Sequence, residues 1–213
     1  MRKRFDQQLD ELGKEMQTMG IMVEESIQKA IEALLRQDVE LAKSVMEADV
    51  HVNQKQKEIE TICFTLLMQQ QPVASDLRTI SAALKMVTDM ERIGDHAADI
   101  SEMTFHLAHA PYIKNLDHIR QMASETMWML IQSIEAYVEK DVKKANAVIA
   151  HDDIVDKLFA ETKEELIELI HKDKNNGEQA TDLLMVAKYF ERIGDHTTNL
   201  AESIVQLHNN PYQ

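Results

Sequence analysis

The hexapeptide Glu91-Arg92-Ile93-Gly94-Asp95-His96 returns unchanged as Glu191-Arg192-Ile193-Gly194-Asp195-His196, 100 positions later in a chain of 213 residues. This feature restricts the possible folds more than any other, because self-similarity at a fixed period marks duplicated structural units. The match continues loosely past the six: Asp99 aligns with Asn199, Ile100 with Leu200 and Glu102 with Glu202. On a helix, Glu91, Asp95 and Asp99 fall on one face, about 40° apart per step. Like charges at that spacing destabilise a bare helix by roughly a few tenths of a kcal/mol per pair. A glycine in a helix interior costs about 1 kcal/mol relative to alanine. Both costs recur at matching positions in the two copies, and a bound cation is the compensating gain this predicts.

Composition agrees with a duplicated helical body. Gly (5) and Pro (3) are scarce, aromatic residues make up 5%, and Leu, Ile, Met, Val and Ala dominate the apolar set. That profile suits long helices and argues against a sandwich or a doubly wound sheet. The formal charge of −14 disfavours nucleic acid and anionic membrane surfaces, since no basic tract exists to release counterions. The single Cys63, in the run Ile62-Cys63-Phe64, reads as a small buried hydrophobe and allows no intrachain disulfide. Charges follow Met1 at once and no apolar run approaches the length of a span. No signal peptide and no membrane insertion are expected, hence a cytoplasmic protein.

Read in order, the chain predicts six long helices. The first carries the seam Phe5, Leu9, Leu12, Met16, Met19, Val23, Ile27, Ala30, Leu34, in steps of three or four. Asp38 caps a second helix running to about Gln71, with Leu41, Val45, Val52, Ile59, Leu66 and Leu67 as its apolar side, and Pro72 ends it. A third starts near Ser75-Asp76, carries the first hexapeptide and stops before Pro111. The fourth spans roughly 115–139, the fifth runs from Asp141 to about Lys172, and the sixth from about Glu178 to His208. Lys174-Asn175-Asn176-Gly177 is the turn before the sixth. The expected architecture is all-α: two tandem, similar three-helix bundles, residues 1–110 and 111–213. With no Ser/Gly-rich linker between them, they should pack against each other.

The fifth helix repeats the second. Asp38-Val39 aligns with Asp141-Val142, Val45 with Val148, Asp49 with Asp152, Val52 with Val155, and Asn53 with Asp156. In an antiparallel hairpin, residues at one height are equidistant from the turn. Asp49 with Asp95, and Asn53 with Glu91, both centre on Pro72; Asp152 with Asp195, and Asp156 with Glu191, both centre between Asp173 and Lys174. Each half therefore brings two oxygen-bearing pairs to one level, some twenty residues or about 30 Å from its turn. Helix rotation, which spacing does not fix, decides whether they face each other.

Carboxylates and amides without thiolate suit hard cations such as Mg, Ca or Mn, and also Fe. His96 and His196 lie at neighbouring angles, either as ligands or as partners behind the ligands. Arg92 and Arg192 are expected to pair with nearby carboxylates, and Arg78 with Asp76. The competing reading is a solvated acidic stripe with ion pairs. No catalytic residue is assigned: the one Glu-x-x-His pair, Glu168 with His171, lies far from the hexapeptides, and no phosphate-binding glycine loop or nucleophile elbow is present.

The duplicated three-helix layout, the two hexapeptides and the segment Gln71-Pro72-Val73-Ala74-Ser75-Asp76-Leu77-Arg78 resemble the PhoU family of phosphate-uptake regulators over essentially the whole chain. The resemblance implies a cytoplasmic, non-enzymatic, homodimeric negative regulator. Such a protein acts with the ATPase subunit of a phosphate ABC transporter and with a phosphate-sensing histidine kinase. It further implies binding of iron or zinc at Glu91 with Asp95, Glu191 with Asp195, Asp49 with Asn53, and Asp152 with Asp156; the shared helix face adds Asp99 and its counterpart Asn199 as candidate ligands, and the oxygen donor set also admits Mn or Mg. Asn53 and Asn199 stand where the other half has acids, so the two sites need not match in metal number or affinity. A carboxylate cluster repels phosphate, so direct phosphate sensing there would need a bridging metal. Two further readings remain: a metal-free helical module docking basic partner surfaces, and, more distantly, a metal-dependent hydrolase or oxidase.

Overall fold

The computed structural model describes residues 2–69 and 72–208. It contains six α-helices: α1 (Arg2–Arg36), α2 (Val39–Gln69), α3 (Ala74–Leu107), α4 (Asp117–Glu139), α5 (Val142–Lys172) and α6 (Gly177–His208), with one 3-10 turn at Lys174–Asn176. No strand occurs among the described residues. The expected end of α2 at Gln71 lies outside them.

The α1 seam is buried as its spacing requires. Phe5, Leu12, Met16, Met19, Val23, Ile27, Ala30 and Leu34 are all sealed from solvent, with Leu9 packed at the margin. Val45, Val52, Ile59, Cys63 and Leu66 of α2 join the same core, while Leu67 is only partly covered. Burial pushes the Cys63 thiol up to about 11, so it stays protonated and inert.

The duplication is visible in the backbone. Gln37 after α1 and Lys140 after α4 are both left-handed, with φ of 54° and 57°. The next residue in each case, Asp38 or Asp141, donates its N–H back to Ala33 or Ala136 at 2.9 Å. The same two aspartates then cap the following helix: Asp38 Oδ1 accepts from Leu41 N, and Asp141 Oδ1 from Lys143 N and Lys144 N. The predicted start of α3 shifts by a residue or two. Asp76 is not the N-cap but stands three residues inside, its carboxylate accepting from Val73 N at 3.1 Å. Arg78, expected to pair with Asp76, lines a groove against α6, and no Arg78 ion pair occurs among the described residues.

The two halves form one body. α3 and α6 pack along each other, and α1 touches α4. The crossing of α1 over α4 is tight: a Cβ on Gly20 would collide with Ile134 at 2.6 Å. The α3–α4 connection is pinned from both sides. Gln37 donates its amide to Leu107 O and Ala110 O, Tyr112 donates its hydroxyl to Leu34 O, and Gln179 of α6 both accepts from Ile113 N and donates to Pro111 O. Lys114 and His118 close on Glu165 of α5.

Candidate metal-binding faces on the two hairpins

Helix rotation, left open by spacing, turns the acidic pairs toward each other. At Gly94, α2 and α3 approach so closely that a Cβ would stand 3.1 Å from Val52 Cγ1 and 3.6 Å from Asp49 Oδ1. At Gly194 a Cβ would stand 3.0 Å from Asp152 Oδ1 and 3.4 Å from Val155 Cγ1. Neither glycine has a positive φ. Each is there for room, and close helix packing accounts for the cost that the sequence suggested a cation must offset.

Electrostatics report the same meeting. Burial raises the Asp49 carboxyl above its usual range, and the charges of Asp95 and Asp99 raise it further, against a hydrogen bond from Asn53. Glu91 is raised by burial, by Asp95 and by Asp49. In the second half, burial with Asp156 and Asp195 pushes Asp152 up to about 6, and Asp195 is raised by burial, Glu191 and Asp156. Crowded carboxylates that stay partly shielded from water behave this way.

The donor atoms fit a hard cation. Asn53 donates its amide to Asp49 Oδ2 at 2.9 Å. Asp49 Oδ1, Asn53 Oδ1 and Asp152 Oδ1 are then buried with no hydrogen-bond partner. Leaving such an atom unmade costs about 1–3 kcal/mol, and an oxygen-binding ion would remove that cost. Among the described residues, no three His, Cys, Asp or Glu side chains are placed as they stand to hold a metal ion. The residues supply facing oxygens on two helices, and carboxylate rotation would have to close them on an ion.

The charges around the two faces differ. Arg92 pairs with Asp95 at 2.9 Å and Glu91 at 3.5 Å. Arg192, expected to do the same, forms no ion pair among the described residues. Its place is taken by Lys188, whose ammonium meets Glu191 Oε2 at 2.5 Å in an ion pair without hydrogen-bond geometry. Thr198, beside Asp152, partly offsets that residue's rise.

The histidines sit at the seam between the halves rather than on the faces. His96 is buried, shares a 3.0 Å hydrogen bond with Asp99 Oδ2, and stacks on Tyr189 at 5.7 Å between ring centroids. Burial depresses its pKa, His196 and Arg192 assist, and Asp99 opposes. His196 shares a 2.8 Å hydrogen bond with Asp89 of α3, 5.7 Å from the His96 ring. Asn199 donates its side-chain NH2 to the same Asp89 oxygen at 3.2 Å, which turns the side chain toward α3. Asp89 and Tyr189, and Thr88 and Lys188, hold matching places in the repeat. These positions lie just before the hexapeptides, outside the aligned segment from which the site was read, although their disagreement is itself a signal.

Known proteins share this fold. Residues 16–104 and again 119–204 match the PhoU domain. A phosphate-specific transport system accessory protein PhoU homolog from Clostridium acetobutylicum is 41% identical over 97% of this chain and 94% of its own. The homolog from Aquifex aeolicus is 36% identical over 87% and 84%. The crystal structure of PhoU from Pseudomonas aeruginosa superposes with a TM-score of 0.93 at 30% identity, covering 95% of this chain and 98% of that one. The phosphate transport system regulatory protein PhoU from Streptococcus pneumoniae gives 0.90 at 29% identity, over 96% and 97%.

Proposed function

The chain belongs to the PhoU family, and from that membership we propose that it is a non-enzymatic accessory regulator of phosphate-specific transport. The observation that carries this reading is whole-length kinship with a transport accessory protein, at 41% identity over 97% of the chain. The proposed partners are the ATPase subunit of the phosphate ABC transporter and a phosphate-sensing histidine kinase, the chain acting as a homodimeric adaptor that represses phosphate-starvation genes when phosphate is plentiful. Its units are taken as residues 1–110 and 111–213. Among the described residues no helix is long and apolar enough to cross a membrane, and the proposed action at the transporter is through contact with it.

Within this reading the two hairpin faces are cation sites. Asp49, Asn53, Glu91, Asp95 and Asp99 would hold one ion, and Asp152, Asp156, Glu191 and Asp195 another, of Fe, Zn, Mn or Mg. Bound metal supplies cross-hairpin charge neutralisation. The chain's own residues set the spacing: Gly94 and Gly194 let the helices close, and Val52 and Val155 fix how far. A second reading has its own observation. Arg92 and Lys188 already lie on these faces, so basic side chains of a partner could dock there without metal.

The decisive experiment measures binding of the purified chain to purified transporter ATPase and kinase, metal-loaded and after chelation. Complexes that need metal support the cation reading, and complexes indifferent to chelation favour direct basic docking. Binding to neither partner in either state would overturn the adaptor role.

A further inference from the structure

Lys188 breaks the repeat at the point where the two faces should be most alike. Its ammonium is a cation already seated on the α5–α6 face, 2.5 Å from Glu191 Oε2. The same ammonium lies over the Phe159 ring of α5, 5.2 Å from Nζ to the centroid. An ammonium over an aromatic face is held by the ring quadrupole as well as by its carboxylate. The side chain is 37% exposed, so it is seated between the helices and not waving in water.

The first half has neither part of this device. Thr88 stands at the matching position, and its hydroxyl turns back to Leu84 O on its own helix. Gln56 occupies the place of Phe159. The cation on the α2–α3 face is Arg92, which is 56% exposed and stacks on no aromatic ring among the described residues. Its planar guanidinium pairs with Asp95 Oδ2 one turn on along α3, while Asp49 Oδ1 and Asn53 Oδ1 stay unpartnered, as Asp152 Oδ1 does on the second face. A surface pair of this kind is worth little.

We propose that Lys188 is a built-in competitor for cations on the α5–α6 face, so that a divalent ion fills the α2–α3 face first and reaches the second only by displacing the lysine. The inference rests on the reading of both faces as cation sites. It assigns the regulation of loading order to a residue outside the repeated hexapeptide.

The test uses the full chain and Mn2+ alone. With the α2–α3 face disabled by Asp49→Asn and Glu91→Gln, Mn2+ affinity at the remaining face is measured by equilibrium dialysis, and melting without metal verifies the fold. Lys188→Met, which keeps a flexible side chain over Phe159 but removes the charge, should tighten Mn2+ by about tenfold, or about 1.4 kcal/mol. Lys188→Gln serves if the methionine variant folds poorly and should act alike. Lys188→Arg should stay at the background value. Unchanged affinity in the neutral variants, or equal tightening by Lys188→Arg, overturns the competitor role while leaving the faces as sites. No Mn2+ binding by any chain, wild type included, overturns the site reading and this inference with it.

Discussion

The Cβ that Gly194 lacks would touch a carboxylate oxygen, Asp152 Oδ1 at 3.0 Å, whereas the Cβ that Gly94 lacks would touch the buried Val52 first, at 3.1 Å. The two glycines look identical in sequence and differ in what they protect. Alanine gains about 1 kcal/mol over glycine in a helix interior. At Gly194 a carboxylate can rotate away, so Gly194→Ala should leave melting without metal level or slightly raised while lowering metal affinity through the displaced Asp152. At Gly94 the obstacle is a β-branched side chain with one favoured rotamer in a helix, packed in the core. Gly94→Ala should lose stability by about 1 kcal/mol net, an overpacking cost of about 2 kcal/mol less the alanine gain of about 1. Thermal melts with and without metal check both, and equal destabilisation by the two variants would refute the distinction.

The repeat was legible because duplication is recorded directly in residue identity, and helix ends because Asp38 and Asp141 are capping residues whatever surrounds them. The heights of the acidic pairs followed from counting. Their rotation did not: it is set by Gly94 against Val52 and Gly194 against Val155, contacts between distant residues that no local pattern encodes. The glycine cost was readable, but its cause was assigned to a cation when packing accounts for it. Arg192 looked like Arg92 and behaves otherwise because Lys188 already occupies Glu191. Asp89 was passed over because its partners, His196 and Asn199, lie more than 100 positions away.

Protonation should move the metal-free protein in an unusual direction for an acidic chain. Asp152 is pushed up to about 6 by burial and by Asp156 and Asp195, against about 3.9 for an unperturbed aspartate. The native state therefore holds this proton more tightly than the unfolded chain does. The stability it contributes is full below about pH 4 and is lost as pH rises through about 6. Asp152→Asn should melt higher than wild type at pH 7 without metal and much like it at pH 4. Metal affinity runs oppositely, falling below about pH 6 as protons compete for the same oxygens. Melting curves for both proteins at pH 4, 5.5 and 7, with and without metal, check the sign.

Lys140 and Gln37 share a left-handed backbone but not its support. A non-glycine residue there costs about 1–2 kcal/mol. Gln37 recovers part of it by donating to Leu107 O at 2.5 Å and Ala110 O at 2.8 Å, while Lys140 makes no such bonds among the described residues. Lys140→Gly should raise stability by up to about 1 kcal/mol, and Gln37→Gly should gain nothing or lose. Denaturant midpoints of the two variants against wild type decide it.

Asp95→Asn and Asp195→Asn separate a cation site from a solvated stripe. Each removes one charge from a crowded face at nearly constant shape. On the stripe reading, repulsion is relieved and stability holds or rises by a few tenths of a kcal/mol, less whatever Asp95 gains from Arg92, an exposed pair worth about 0–1 kcal/mol. On the site reading, an anionic ligand is lost and metal content falls. Each loss leaves its face three carboxylates, Asp49, Glu91 and Asp99 on the first and Asp152, Asp156 and Glu191 on the second, so charge count alone does not separate the two. Loading order does: if Lys188 holds the second face back, metal at limiting concentration sits on the face that Asp95 serves. Asp95→Asn should therefore reduce bound metal, and the rise in melting temperature that metal produces, more than Asp195→Asn does. At a free metal concentration 100 times the dissociation constant the wild-type rise corresponds to about 2.7 kcal/mol, large enough to resolve in a melt. Equal metal content in all three proteins, with melting temperatures level or higher in the variants, would leave the solvated stripe as the better account.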